Sequence, residues 1–354
     1  MSNVVILTGP IQSGKTTSLI KHYSKTDGVG GFICPDVNGK RMMYFSAENR
    51  LMEFQIPITN SSINVGKFSF DELVFNKAFD LIRTAAQSNY DYFIIDEVGP
   101  LELKHQGYYD ALVALFDNAK YKTILTIILV VREHLVNDVI TKFNLSYVRV
   151  TSKEDLANDA YVRSDINGLI LSGGESSRMK SDKYLLKYDG LEQYKRLQQI
   201  FNEMGLPVFL SCNKNQFSNE EVSIDKITDD LNYKDAGPLT GILSAFNQLQ
   251  SDLLIVGCDY PLLKIEHLHM LKQFSEYGLD EIAFVKNERV DVVEPLICFL
   301  SKQSLQKLKL FYINGGRSLN KYLQQVNSLK IQLKDDSFLR SFDTPDDYHS
   351  YFNN

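Results

Sequence analysis

Two glycine-rich segments of this 354-residue chain have the residue types and spacing that bind phosphate groups. The first is Gly9-Pro10-Ile11-Gln12-Ser13-Gly14-Lys15-Thr16, which directly follows an apolar run at 4–7. The second reads LSGGESSRMKSDK from Leu171 to Lys183 and also follows an apolar run. In each case a strand leads into a loop whose free backbone N–H groups can surround an anion. We therefore expect two nucleotide-handling sites of different type.

The first segment matches the Gly-x4-Gly-Lys-Thr pattern in full. Gly9 and Gly14 permit the tight loop, and Lys15 meets the β- and γ-phosphates of a nucleotide. The hydroxyl of Thr16 is offered to Mg²⁺, and Thr17 is also expected to bind the nucleotide.

An acidic pair follows the apolar run Tyr92–Ile95. Asp96 is predicted to complete the Mg²⁺ shell, and Glu97 to orient or deprotonate an attacking water. Two carboxylates at a strand end are often only a solvated boundary, but here they accompany a complete phosphate-loop pattern.

The second segment gathers donors for a phosphate chain. Gly173 and Gly174 let backbone amides approach it, while Arg178 and Lys183 bring two cations, of which arginine grips oxygens in bidentate fashion. Asp259, at the end of another apolar run, is a natural Mg²⁺ ligand because hard cations prefer oxygen. We predict catalytic roles for Arg178, Lys183 and Asp259.

Apolar runs alternate with amphipathic stretches through both halves, which is typical of α/β domains with mostly parallel sheets. Strands are expected at 4–7, 31–34, 92–95, 123–131, 168–171, 208–211, 253–256 and 281–285. Helices are expected at 70–86, 191–203, 239–248 and 319–324, with a hairpin over 40–55. We predict a first domain at 1–152, a linker at 153–165 and a second domain at 166–354.

Composition narrows the class of protein. Apolar residues make up 44% of the chain and charged residues 23%, with a net charge of −6. This is ordinary for folded domains and argues against a general nucleic-acid binder. The four cysteines are scattered without a disulfide or metal spacing, and no run is long enough for a membrane span. We expect a cytoplasmic protein that uses neither membrane nor nucleic acid.

Residues 1 to about 150 resemble the thermophile-type nucleoside triphosphatases of the P-loop class. The matching strings are Gly9–Thr17, Gly30-Gly31-Phe32, Gly39-Lys40-Arg41, Val65-Gly66-Lys67 and IDEVGPLEL at 95–103. The resemblance implies hydrolysis of nucleoside triphosphates with loose base preference. Arg132 either stabilises transition-state charge or is a surface arginine, and the sequence leaves both open.

The stretch from Asn167 to about Tyr348 resembles the molybdenum cofactor guanylyltransferase family, which has a Rossmann-like nucleotidyltransferase fold. The matching elements are the Leu171–Lys183 string, Gly237–Gly241 preceded by Asp230, Cys258–Pro261 and Thr344-Pro345. One departure is Lys180, which stands where the family usually has glycine.

The family's roles carry over by position. Leu171, Gly173 and Gly174 would contact the guanine nucleotide, together with Gly237. Lys183 would bind its phosphates. Asp230 would help to read guanine or ribose, and Asp259 would hold Mg²⁺.

The resulting hypothesis is an enzyme that transfers GMP from GTP to molybdopterin, releases pyrophosphate and requires Mg²⁺, fused to a P-loop domain that binds or hydrolyses NTP. Molybdoenzymes or cofactor-delivery proteins are candidate partners. Two alternatives stay open: a cytidylyltransferase or another nucleotidyltransferase of the same fold, and a P-loop half that acts only as a GTP-binding adaptor.

Overall fold

The computed structural model describes residues 3–59, 62–117, 124–145, 148–155, 165–172, 183–218, 222–233 and 236–351. The chain divides into two compact units, Met1–Tyr161 and Val162–Asn354. Both are built from strands and helices in alternation, so the predicted α/β class is confirmed for each half. Within the described ranges, no helix has both the length and the apolar character needed to cross a bilayer.

The first unit is organised around one sheet. Its described strands are β1 (Asn3–Leu7), β2 (Val29–Ile33), β3 (Asp36–Val37), β4 (Lys40–Phe45), β5 (Arg50–Glu53), β6 (Ser62–Val65), β7 (Phe68–Asp71), β8 (Tyr90–Val98), β9 (Ile124–Val131) and β10 (Val148–Thr151). Its described helices are α1 (Lys15–Tyr23), α2 (Glu72–Thr84), α3 (Pro100–Leu103), α4 (Tyr109–Asp117) and α5 (Val136–Lys142). The sheet order is β10-β1-β9-β8-β2-β4-β5.

The strands from β10 to β2 in this order are parallel, and β4 and β5 add antiparallel to β2. The central strands are nearly continuous apolar runs because helices cover both faces of a parallel sheet. Helix α2 begins where the Asp71 carboxylate accepts the Val74 N–H at 2.9 Å, and it buries Val74, Ala78 and Ile82. Parallel pairing brings the carboxyl ends of β1, β8, β9 and β10 to one edge of the sheet.

In the second unit the main strands pair in the order β19-β17-β18-β16-β11-β14-β15. Its described strands are β11 (Ile166–Leu171), β12 (Lys187–Tyr188), β13 (Leu191–Glu192), β14 (Val208–Cys212), β15 (Lys226–Thr228), β16 (Asp252–Gly257), β17 (Glu281–Lys286), β18 (Arg289–Leu300) and β19 (Leu329–Gln332). Its described helices are α6 (Gln193–Glu203), α7 (Lys214–Phe217), α8 (Pro238–Leu249), α9 (Ile265–Glu276), α10 (Lys302–Ile313), α11 (Leu319–Gln325) and α12 (Pro345–Tyr351).

Strands β16, β11, β14 and β15 are parallel neighbours, so the carboxyl ends of β11 and β16 lie side by side. The long strand β18 is antiparallel to both β16 and β17. No strand is predicted here, although the alternation of polar and apolar residues at its start and the buried apolar run at its end are both strand signals. The strands and helices that were predicted are confirmed, with ends shifted by a few residues. The predicted hairpin over 40–55 is confirmed as β4 and β5.

Candidate functional site

The first candidate site is built on the loop between β1 and α1. Gly14 has a φ of +87°, a left-handed conformation that favours glycine, and α1 begins at the next residue, Lys15. A loop that ends at a helix N-terminus presents free N–H groups and a favourable dipole to an anion. The structure therefore places Gly9 and Gly14 in the loop, with Lys15, Thr16 and Thr17 in the first turn of α1.

The Lys15 ammonium lies over this loop. Its Nζ donates to the carbonyl oxygens of Gly9 at 2.9 Å and of Pro10 at 2.7 Å. Burial lowers the pKa of Lys15 against the opposing effect of Asp96, and the positive charge of Arg132 lowers it further. Arg132, which is exposed just after β9, therefore lies within electrostatic range of Lys15.

Thr16, in the first turn of α1, contacts Asp96, which lies near the end of β8. Asp96 Oδ2 accepts hydrogen bonds from Thr16 Oγ1 at 3.3 Å and from the Cys34 N–H at 2.9 Å. Burial, reinforced by the neighbouring Glu97 charge, raises the pKa of Asp96 to about 7. A hydroxyl and a carboxylate at this distance are the oxygen ligands that Mg²⁺ takes beside a nucleotide.

Glu97 lies at a β-bulge that separates it from the buried Asp96. The pairing of β8 with β9 shifts register between Ile95 and Val98, and Glu97 has a φ of +66°. Asp96 is 1% exposed, whereas the Glu97 side chain is 45% exposed. Bulges redirect a side chain and occur next to active sites, so Glu97 is the acidic residue that solvent water reaches.

Arg41 on β4 belongs to this site, and the sequence assigned it no role. Its Nη1 donates to the Cys34 carbonyl oxygen at 3.2 Å and forms an ion pair with Glu97 Oε1. Arg41 was visible only as part of the matching string Gly39-Lys40-Arg41. Its proximity to Glu97 depends on the pairing of β2 with both β4 and β8.

Lys153 is a second residue that the sequence did not place at the site. Its Nζ donates to the Ser13 carbonyl oxygen at 2.5 Å. Asp155 orders the intervening turn, since its Oδ2 accepts from Thr151 Oγ1 at 2.8 Å and from the Ser152 N–H at 3.1 Å. Because β10 is the parallel neighbour of β1, the turn after β10 lies beside the phosphate loop. No local signal in the sequence identifies Lys153, which begins the segment predicted as a linker.

The second candidate site lies at the ends of β11 and β16. Leu171 is the last residue of β11, and its carbonyl oxygen accepts the Cys258 N–H at 3.1 Å. The loop after β11 and the turn that carries Asp259 therefore start next to each other. The predicted site residues that lie outside the described part of the chain are Gly173, Gly174 and Arg178.

Lys183 lies between two carboxylates. Its Nζ is 3.0 Å from Asp259 Oδ1 and donates to Asp343 Oδ1 at 2.5 Å. Burial raises the pKa of Asp259 despite the opposing charge of Lys183. For Asp343, burial is outweighed by the combined effect of hydrogen bonds from Lys183 and Ser341 and of the Lys183 charge, so its pKa falls. Asp343 was not predicted, although the adjacent Thr344-Pro345 element was.

Asp230 is held by its own turn. Its Oδ1 accepts the Asn232 N–H at 2.9 Å, and its Oδ2 accepts from Asn247 Nδ2 at 3.3 Å. The Asp230 N–H donates to Ser244 Oγ at 2.7 Å. Gly237, with a φ of +53°, caps the N-terminus of α8. No contact between Asp230 and Lys183 or Asp259 is seen in the described residues, so these two parts of the predicted site are positioned by different elements.

Comparison with known proteins matches each half of the chain to a protein family. The family model described as NTPase matches residues 4–161, and the model described as MobA-like NTP transferase domain matches residues 168–329. A molybdenum cofactor guanylyltransferase of Acidovorax ebreus is 30% identical over 202 residues, which cover 53% of this chain and 90% of the relative. The chain belongs to the molybdenum cofactor guanylyltransferase family. The family name of the second half and the NTPase match of the first agree with both predicted resemblances.

Other relatives cover the same share of the chain. A molybdenum cofactor guanylyltransferase of Cupriavidus metallidurans is 26% identical over 194 residues, with 53% of this chain and 95% of the relative covered. The solved structure of molybdopterin-guanine dinucleotide biosynthesis protein A from Archaeoglobus fulgidus has a TM-score of 0.42 and 18% identity, and covers 52% of this chain and 96% of its own. Lys183 and Asp259 lie inside the matched NTP transferase range, whereas Asp343 lies beyond its end at residue 329.

Proposed function

We propose that the second half of the chain transfers GMP from GTP to molybdopterin. An oxygen of the terminal phosphate of molybdopterin attacks the α-phosphorus of GTP, the bond from that phosphorus to the β-phosphate oxygen breaks, and pyrophosphate leaves. The observation that carries this proposal is the contact of Lys183 with Asp259 at the carboxyl edge of the sheet, inside the range that matches the NTP transferase model. A nucleophile that is already anionic needs no general base.

A divalent cation, Mg²⁺, fits the donors at this edge. Asp259 Oδ1 is buried and, among the described residues, accepts no hydrogen bond of ordinary geometry, although Lys183 lies 3.0 Å away. Mg²⁺ is commonly held by one or two carboxylates together with substrate phosphates, and no larger cluster of ligating side chains occurs in the described ranges. Asp259 would hold the ion, which supplies positive charge to the triphosphate when bound.

The side chains then have separate tasks. Lys183 places an ammonium where negative charge develops on the phosphates, and Asp343 and Asp259 keep that ammonium at the edge of the sheet. Gly173, Gly174 and Arg178 would complete the phosphate loop, and Gly237 and Asp230 would hold the nucleoside. Positioning and electrostatics supply the rate enhancement, since the protein has little covalent chemistry to perform.

Purified full-length protein with Mg²⁺, GTP and molybdopterin tests this function directly. We expect formation of molybdopterin guanine dinucleotide and pyrophosphate in equal amounts. The activity should be lost in Lys183→Ala and, at Mg²⁺ concentrations that just support the wild type, in Asp259→Asn. Activity with CTP in place of GTP would instead support the cytidylyltransferase alternative. Absence of product with either nucleotide would reject nucleotidyl transfer to molybdopterin.

We propose further that the first half binds and hydrolyses a nucleoside triphosphate. Lys15 and the loop N–H groups hold the phosphates, Thr16 and Asp96 provide oxygen ligands for Mg²⁺, and Glu97 orients the attacking water. The bulge that exposes Glu97 beside the buried Asp96 favours hydrolysis over simple binding, because a pure binder needs no water-facing carboxylate.

Phosphate release from GTP and ATP in the absence of molybdopterin tests this second activity. We expect Lys15→Ala to weaken nucleotide binding and Glu97→Gln to slow release while binding is retained. Binding without any release in the wild-type protein would support the GTP-binding adaptor. Equal release in both variants and the wild type would exclude this site as its source.

A further inference from the structure

Both carboxylates at the end of β8 are held by the same neighbouring segment, the β2–β4 hairpin. The Cys34 N–H, just after β2, donates to Asp96 Oδ2 at 2.9 Å. Arg41, on β4, donates to the Cys34 carbonyl oxygen at 3.2 Å and pairs with Glu97. One residue of the hairpin thus fixes the buried carboxylate, and the other fixes the exposed one.

Glu97 needs such a partner to adopt one orientation. It stands on a bulge with a φ of +66°, where an L-residue is strained, and nearly half of its side chain is exposed. An exposed glutamate without a fixed partner samples several rotamers. The guanidinium of Arg41 is itself held by its hydrogen bond to the Cys34 carbonyl oxygen. The ion pair with Arg41 therefore restricts the Glu97 side chain to one orientation.

We propose that Arg41 is a positioning residue for hydrolysis at the first site: its guanidinium holds the Glu97 carboxylate in the orientation that receives a proton from the attacking water. This inference rests on the hydrolytic function proposed above. Arginine suits the role because its planar fork can bond a carbonyl and a carboxylate at once, which a lysine ammonium does with less directional control.

The neighbouring lysine shows what a purely structural contact on this hairpin looks like. Lys40 is 60% exposed and pairs with Glu53 on the adjacent strand β5, at 3.4 Å, without reaching β8. Arg41 instead crosses from the hairpin to the end of β8. Lys40→Ala is therefore a matched control, since it removes a cation from the same strand without touching the site.

A double-mutant cycle in the full-length protein tests the proposal, with Arg41→Ala, Glu97→Gln, the combination of both, and Lys40→Ala. General acid–base catalysis contributes about 10²- to 10⁴-fold, so loss of orientation alone is expected to lower kcat about 10- to 100-fold. KM should change less than about twofold, because Arg41 acts on the water-orienting group and not on nucleotide binding. In the Glu97→Gln background, Arg41→Ala should have no further effect. Arg41→Lys should recover part of the rate, and Lys40→Ala should match the wild type.

Three results would overturn the role of Arg41: a wild-type kcat in Arg41→Ala, an equal loss of rate with and without Glu97, or a raised KM with unchanged kcat. Equal losses would mean that Arg41 acts on the phosphates independently of Glu97. Arg41→Gln, with thermal unfolding measured for every variant, separates these results from misfolding. If Glu97→Gln and Lys15→Ala both hydrolyse nucleotide at the wild-type rate, the proposed hydrolytic function itself fails, and that outcome is recognisable without any Arg41 variant.

Discussion

Replacing Asp343 by asparagine removes one of the two negative charges that flank the Lys183 ammonium. The Lys183 side chain is 14% exposed and the Asp343 side chain 48% exposed, so solvent screens the pair in part. A hydrogen bond to a charged group contributes about 1.5–3 kcal/mol in a protected setting and a neutral one about 1 kcal/mol. After the allowance for screening, we expect a loss of about 1 kcal/mol, or about fivefold in rate.

Steady-state pyrophosphate release with GTP and molybdopterin measures this effect in Asp343→Asn. The apparent affinity for Mg²⁺ should stay at the wild-type value, because Asp259 is the proposed metal ligand and Asp343 acts on Lys183. Asp259→Asn should instead raise the Mg²⁺ concentration needed for half-maximal rate. Asp346→Asn is the matched control, since Asp346 is an exposed aspartate in the first turn of α12, which begins just after Asp343.

Two results would refute the reasoning. An unchanged rate in Asp343→Asn would mean that the Lys183 contact has no part in turnover. A raised Mg²⁺ requirement in that variant would make Asp343 a metal ligand and not a residue that positions Lys183.

Three further predictions concern stability and the first site. Glu102→Ala should destabilise the protein by about 2–4 kcal/mol in urea unfolding. The buried Glu102 carboxylate accepts hydrogen bonds from two backbone N–H groups, at 2.9 Å and 3.1 Å, and both donors would lose their acceptor. Equal stability of variant and wild type would contradict this. Lys153→Ala should weaken nucleotide-dependent thermal stabilisation of the P-loop half about fivefold in apparent affinity by freeing the Ser13 carbonyl, with guanylyl transfer unchanged. Burial lowers the pKa of His267 to about 4, so as the pH falls from about 6.5 towards 4 the unfolded state takes up a proton that the folded state does not. Wild type should therefore lose about 1–2 kcal/mol of stability between pH 7 and pH 5 relative to His267→Gln, and parallel pH curves would exclude this.

The first site was largely readable from the sequence because most of it is local. A strand, a glycine loop and a helix N-terminus follow one another between Asn3 and Tyr23, so their spacing alone predicts their geometry. The contact of Thr16 with Asp96 was also predictable, since parallel strands bring their carboxyl ends to one edge. The orientation of Glu97 was not, because a bulge depends on the register between β8 and β9.

Three side chains of the two sites could not be predicted as site residues. Arg41 reaches Glu97 only because β2 pairs with β4 on one side and β8 on the other. Lys153 reaches the phosphate loop only because β10 is the neighbour of β1. Asp343 reaches Lys183 from a position 160 residues away in the sequence. None of these three side-chain contacts is indicated by a periodic or compositional pattern in the sequence.

The order of residues alone predicts two α/β halves, each with a phosphate-loop pattern, and singles out Lys15, Asp96, Lys183 and Asp259 as candidate site residues. These features depend on short-range spacing and on the burial of apolar runs, which the order of residues encodes directly. Which charged groups contact these residues depends on the three-dimensional fold, because strand order and register set contacts between distant positions. That is why the groups proposed to bind nucleotide were predicted from pattern, whereas the groups that contact them were found only in the structure.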